Sequence, residues 1–108
     1  VIAKRPIANA AWRYAERPRE LLSPPYWDRL QRLDYDFPRE GPGTAAAVAL
    51  RFTLGVPGVH TAIVGTALPG WWRENAALVA AGPLHDRDHQ AIRGRWRAVA
   101  EAGWVGQV

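Results

Sequence analysis

Residues 62–75 read Ala62-Ile63-Val64-Gly65-Thr66-Ala67-Leu68-Pro69-Gly70-Trp71-Trp72-Arg73-Glu74-Asn75. The run Ala62-Ile63-Val64 ends a weak alternation that starts at Val59, and it predicts a strand over 59–64 buried on both faces of a parallel sheet. Gly65 to Pro69 then turns the chain into a helix expected to reach about Ala81, with Pro69 in its first turn and Gly82-Pro83 as its stop. A strand end feeding a helix N-terminus gathers backbone N–H groups at the positive end of the helix dipole, so the junction suits an anion such as a phosphate. Any junction of this type has that potential, and alone it more often serves packing than binding.

Upstream, Thr44 reads as the N-cap of a helix over Ala45 to Leu54, apolar nearly all round and ended by Gly55 and Pro57. Ser23-Pro24-Pro25 opens a shorter helix to about Leu33, with Tyr26, Trp27, Leu30 and Leu33 on one face, and residues 34–43 break it. Ala8 to Pro25 reads as a long irregular connection with one helical turn at Arg19 to Leu22. Val1-Ile2-Ala3 is a second short strand, halted at Lys4-Arg5-Pro6 because proline cannot continue a ladder. Downstream, a last helix starts near Asp86, carries Ile92, Trp96, Val99 and Ala100 on one stripe, and closes at Gly103.

The expected fold is therefore α/β, a βαβα arrangement that is predominantly helical with two short parallel strands. A parallel pair needs a crossover, and its sheet is normally covered on both faces. Two strands leave two open edges, which invite either further strands or self-association into a homo-oligomer.

At 108 residues the chain holds one domain, and a complete (β/α)₈ barrel, typically about 250 residues, does not fit. No cysteine is present, which excludes disulfides and thiolate metal sites. The apolar runs fall short of the roughly 20 residues of a membrane span, and no charged and apolar leader opens the chain, so no membrane partner and a cytoplasmic location are expected. The net charge is +4, with thirteen arginines and the single Lys4. Arg13, Arg17, Arg29, Arg32 and Arg87 alternate with acidic neighbours, and only Arg93, Arg95 and Arg97 run unopposed. That pattern reads as a general preference for arginine, and a basic nucleic-acid-binding module is the weaker alternative.

The quoted stretch resembles the cofactor-binding end of the aldo-keto reductase family, NAD(P)H-dependent enzymes on a (β/α)₈ barrel, whose eighth strand and next helix run close to I-x-G-[ST]-x-x-P-x-x-x-x-E-N. Gly65, Thr66, Pro69, Glu74 and Asn75 match it in register. Ala49-Leu50-Arg51-Phe52-Thr53-Leu54 and Pro57-Gly58-Val59 are similar to the family's seventh helix and its ending, and Val1 to Asn9 to its seventh strand and loop, usually V-x-A-x-x-P-L-x-x. The resemblance covers nearly the whole chain and implies that residues 1–108 are a C-terminal, βαβα portion of a TIM barrel.

It also implies roles. Arg5, Ile7 and Asn9 would contact the cofactor pyrophosphate, and Lys4 would flank the nicotinamide, where many members have an aromatic residue. Thr66 would meet the adenosine ribose or its 2′-phosphate, Gly65 stands where some members have a phosphate-binding lysine and others glycine, and Glu74 and Asn75 would bond the adenine edge. Trp71 stands where an arginine often clamps the 2′-phosphate; it offers a stacking surface without charge, so the cofactor is NADP or NAD without strict preference. Arg73 lies about 200° further around the helix. The family's catalytic Asp, Tyr, Lys and His come from earlier strands that this chain lacks, so no catalytic residue is assigned. A non-catalytic, self-associating helical domain derived from that fold is the alternative function.

His85 and His89, four apart beside Asp86 and Asp88, have metal-ligand spacing but no third ligand, and read as an exposed helix start. Of the six tryptophans, Trp27 and Trp96 fall on apolar stripes and are expected in the core or at inter-helix contacts.

Overall fold

In a computed structural model, residues 1–20, 22–65 and 68–106 are described. Strand β1 (Ile2–Lys4) leads to a 3₁₀ helix (Ala8–Arg13), helix α1 (Pro24–Leu33), a second 3₁₀ helix (Phe37–Glu40), helix α2 (Pro42–Leu54), strand β2 (Thr61–Ile63), and helices α3 (Trp71–Ala80) and α4 (Asp86–Val99). The chain is mostly helical with two short parallel strands paired in the register Ile2↔Thr61, Ala3↔Ala62 and Lys4↔Ile63.

Each helix boundary has a local cause. Pro24 and Pro25 occupy the first turn of α1, where a missing N–H costs nothing, and Asp34 closes the helix in the left-handed region at φ 52°, its N–H bonded to the Leu30 carbonyl. α2 begins two residues before the expected Thr44 cap. Gly41 adopts φ 112°, open only to glycine at low cost, and Pro42 sets the first helical φ, so the turn geometry at 41–42 overrides the threonine. Gly55 ends α2 by donating to the Arg51 and Phe52 carbonyls at 3.1 Å, so close that a Cβ would meet the Arg51 oxygen at 3.2 Å. Pro69 lies outside α3, which starts after Gly70. Arg19, Glu20 and Leu22 belong to no helix, though the Ser23 N–H bonds the Glu20 carbonyl at 3.3 Å; the 3₁₀ bonding of that connection lies in Ala8–Arg13, broken by left-handed Asn9 and Ala10.

The core is thin. Among the described residues Ala11, Pro18, Leu33, Ala45 and Leu50 are buried, and Leu50 is the largest fully buried side chain. α2 packs on β2 and α3, while α4 meets α1. Alternation along the strands puts Ala3 and Ala62, both half-buried, on one face and Ile2, Lys4, Thr61 and Ile63 on the other. That second face is open: Ile2 is 63 % and Ile63 60 % exposed. The expectation of a strand buried on both faces thus fails on one side, because no described element covers it. Trp96 is 41 % exposed and meets the space between α4, α1 and α2, with its ring edge-on to Trp104 at 5.5 Å.

Arginines tie the helices together through backbone carbonyls. Arg51 donates to the Gly82 and Pro83 carbonyls at 2.6 and 3.0 Å, fastening α2 to the α3–α4 connection. Arg95 donates to the Leu33 and Arg32 carbonyls at 2.7 and 3.2 Å, where the C-terminal dipole of α1 favours a cation. The C-terminal stretch returns to α1 through the Arg32–Glu101 ion pair at 2.8 Å and the Arg32 guanidinium over Trp104.

Candidate functional site

Both strands point their C-terminal ends the same way, and the loops that leave them meet around a cleft of about 670 Å³. From the first loop come Lys4, Arg5, Ile7 and Asn9; from the second strand and its exit come Ile63, Val64 and Gly65, and Trp71 enters from the first turn of α3. The C-terminal edge of parallel strands is where ligands collect in such sheets, since the loops there are free to vary while the strands stay fixed.

The first loop is held in an unusual backbone path. Arg5, Ala8, Asn9 and Ala10 all have φ between 47° and 55°. Each non-glycine residue in this region costs roughly 1–2 kcal/mol, with asparagine the most tolerant. Clusters of that kind belong to places where the surrounding structure enforces them, often binding loops. Here the bonds from Ala8 N–H to the Arg5 carbonyl at 3.0 Å and from Ala10 N–H to the Ile7 carbonyl at 2.7 Å close two successive turns.

The charges of the cleft are Lys4, Arg5 and Arg13 against Glu20. Arg13 and Glu20, with Ala10, Leu22 and Ser23, were not foreseen. They come from the irregular 8–25 connection, whose return to the strand ends leaves no periodic trace in the sequence. Arg13 bonds the Tyr14 hydroxyl at 2.6 Å, which raises its guanidinium pKa further, and lies 3.9 Å from Glu20. Glu20 in turn accepts from Ser23 Oγ at 3.5 Å. Asp28 forms a two-pronged bond with Arg17, both contacts 2.8 Å, and that guanidinium holds the Asp28 carboxyl below the usual range.

Six of the nine candidate residues therefore surround one space: Lys4, Arg5, Ile7, Asn9, Gly65 and Trp71. Asn75 is half-buried on another side of α3, in a hollow of about 490 Å³ shared with Leu50, Ala62, Trp72 and Val79. Glu74 is exposed in the first turn of α3 and borders neither space. Thr66 lies outside the described residues. Arg73 rests over Trp72 at 5.1 Å, away from the cleft.

Away from this cleft, His89 stacks on Phe52 at 4.6 Å, and His85 precedes the first turn of α4. Among the described residues no group of three His, Asp or Glu side chains could hold a metal ion, and no helix is long and apolar enough to cross a membrane.

No family model, curated protein or solved structure matches the chain.

Proposed function

We propose that this chain is the cofactor-holding C-terminal part of a NAD(P)H-dependent aldo-keto reductase-like barrel, not catalytic alone. The observation that carries the reading is the convergence of Lys4, Arg5, Ile7, Asn9, Gly65 and Trp71 on one cleft at the strand ends. The donor set fits a dinucleotide. Lys4 and Arg5 offer cationic donors and Asn9 an amide donor to pyrophosphate oxygens, with Arg13 beside them largely offset by Glu20. Gly65 adds no side chain, and a Cβ there would meet nothing within 4 Å, so the floor beside Trp71 stays open for a flat ring. In a complete enzyme the bound dinucleotide would supply hydride to a carbonyl; these residues would only hold and orient it.

The surface supports a part of a larger body. The chain exposes 7299 Å². A compact monomer of 12.0 kDa exposes about 6000 Å² by the usual scaling. The excess includes the open sheet face and Leu68 and Trp72, 53 % and 60 % exposed. The same face favours a second reading, a self-associating domain that buries it against another copy.

Titration of the 108-residue chain with NADPH, NADH and inorganic pyrophosphate, read by tryptophan emission, tests the first reading. Saturable quenching is expected, weakened at least fivefold by Arg5→Ala and by Asn9→Gly, which keeps the left-handed backbone while removing the amide. Loss of affinity in Asn75→Ala would place the adenine over the far side of α3. No response to any of the three compounds refutes a cofactor role for the chain alone. Light scattering addresses the second reading, and a monomer at high concentration refutes it.

A further inference from the structure

A second, chemically different space lies between α2 and α4. One part, about 260 Å³, is walled by aromatic and aliphatic side chains from the first 3₁₀ helix, α1, α2, α4 and the loop carrying Tyr35. An adjoining hollow of about 520 Å³ shares Tyr35, Phe52, Ile92 and Trp96 with it and adds Arg93 and Arg97.

Three of the polar groups around the first part are already engaged. The Tyr35 hydroxyl donates to the Ile92 carbonyl at 3.0 Å, Thr53 Oγ1 to the Ala49 carbonyl at 2.9 Å, and Arg29 to the Val105 carbonyl at 2.8 Å. A water needs two to four polar partners, whereas an apolar cavity of roughly 150 Å³ already accepts a benzene-sized molecule. The walls are also set in advance: Phe52 is stacked on His89, and Tyr35 on Phe37 at 5.4 Å. Less ordering is then lost on binding.

The adjoining hollow supplies charge. Arg93 and Arg97 are one turn apart on α4 and so neighbours on one helix face. Among the described residues no carboxylate forms an ion pair with either, while Arg32 takes Glu101, Arg39 takes Asp34 and Asp36, and Arg95 is spent on carbonyls. Two guanidinium groups beside an aromatic opening match a planar anion joined to a flat ring.

We propose that this space binds an aryl carboxylate or sulfonate, the ring among Tyr35, Phe52, Ile92 and Trp96 and the acid group on Arg93 and Arg97. None of these six side chains lines the strand-end cleft, and the inference stands whether or not a dinucleotide binds there. Calorimetric titration of the full chain with 2-naphthoate and its neutral analogue 2-naphthalenemethanol tests it. 2-Naphthoate should bind at least tenfold more tightly than the alcohol. The double variant Arg93→Gln, Arg97→Gln, whose circular dichroism should be unchanged because neither side chain bonds another described residue, should shrink that preference below twofold while still binding the alcohol. Saturating pyrophosphate should leave the naphthoate affinity unaltered. Equal affinities in the wild type, a tenfold preference surviving in the double variant, competition by pyrophosphate, or no saturable binding would each overturn the assignment.

Discussion

Replacing Arg95 by methionine removes a guanidinium that holds α4 to the end of α1. The bond to the Leu33 carbonyl is 2.7 Å and partly buried, that to the Arg32 carbonyl 3.2 Å and exposed. A hydrogen bond from a charged donor contributes roughly 1.5–3 kcal/mol when shielded, so the inner bond is worth about 1.5 kcal/mol here and the outer about 0.5 kcal/mol. Methionine keeps most of the stem's packing, so the expected loss is about 2 kcal/mol, mostly from a carbonyl left without its donor beside the buried Leu33. For a chain of this size that loss lowers Tm by roughly 8–12 °C. Arg95→Lys should recover at most half, since an ammonium cannot span two carbonyls as the fork does. Urea unfolding followed by circular dichroism measures both. A methionine variant within 0.5 kcal/mol of the wild type, or a lysine variant equal to it, would refute the clamp.

Leu50→Ala should cost about 3 kcal/mol, near the low end for a buried leucine because the hollow beside it lets neighbours relax, and urea unfolding with an unchanged m-value checks it. Burial raises the Tyr35 pKa above its ordinary value, only partly offset by Arg95. The unfolded chain therefore gives up this proton first, and stability should fall as pH rises past about 10, a limb that Tyr35→Phe should flatten in unfolding curves taken between pH 8 and 11. Asp28 titrates below its ordinary value because Arg17 bonds the carboxylate. Its contribution is present above about pH 4, the value of the unfolded chain, and is lost as pH falls through the folded pKa, so Asp28→Asn should be less acid-sensitive than the wild type in acid unfolding monitored by tryptophan emission.

Periodicity made most of the architecture legible. The stripe Tyr26, Leu30, Leu33 and the apolar run of α2 predicted helices that form, and the β-branched runs at both strand positions predicted a parallel pair that forms. What stayed hidden depends on backbone geometry or on contacts distant in sequence. Ala8 and Ala10 are strong helix formers placed in left-handed turns, a local conflict that no propensity reveals. The lone basic run 93–97 looked uniform, yet one member is bonded to carbonyls 62 and 63 residues away and two line an aromatic opening. At the strand ends, six of the residues that the motif singles out line one cleft. Asn75 and Glu74 follow the motif's spacing, but rotation along α3 carries both away from the cleft that Trp71 lines.

α2 and the loop after β1 link the two spaces. On α2, Leu50 and Leu54 face the hollow under β2, whereas Ala49, Phe52 and Thr53 wall the aromatic cavity. One helix thus supports the strand that carries the cleft with one stripe and shapes the second space with another. Pro6 and Ile7 border both the cleft and the aromatic cavity. The left-handed residues on either side of this dipeptide, Arg5 before it and Ala8 to Ala10 after it, fix where that shared wall stands. Conformational strain in the loop is sustained by the packing of residues 8–13 on α1, because among the described residues nothing covers the open sheet face. The cleft therefore owes its shape less to the two exposed strands than to the helical layer behind the loop.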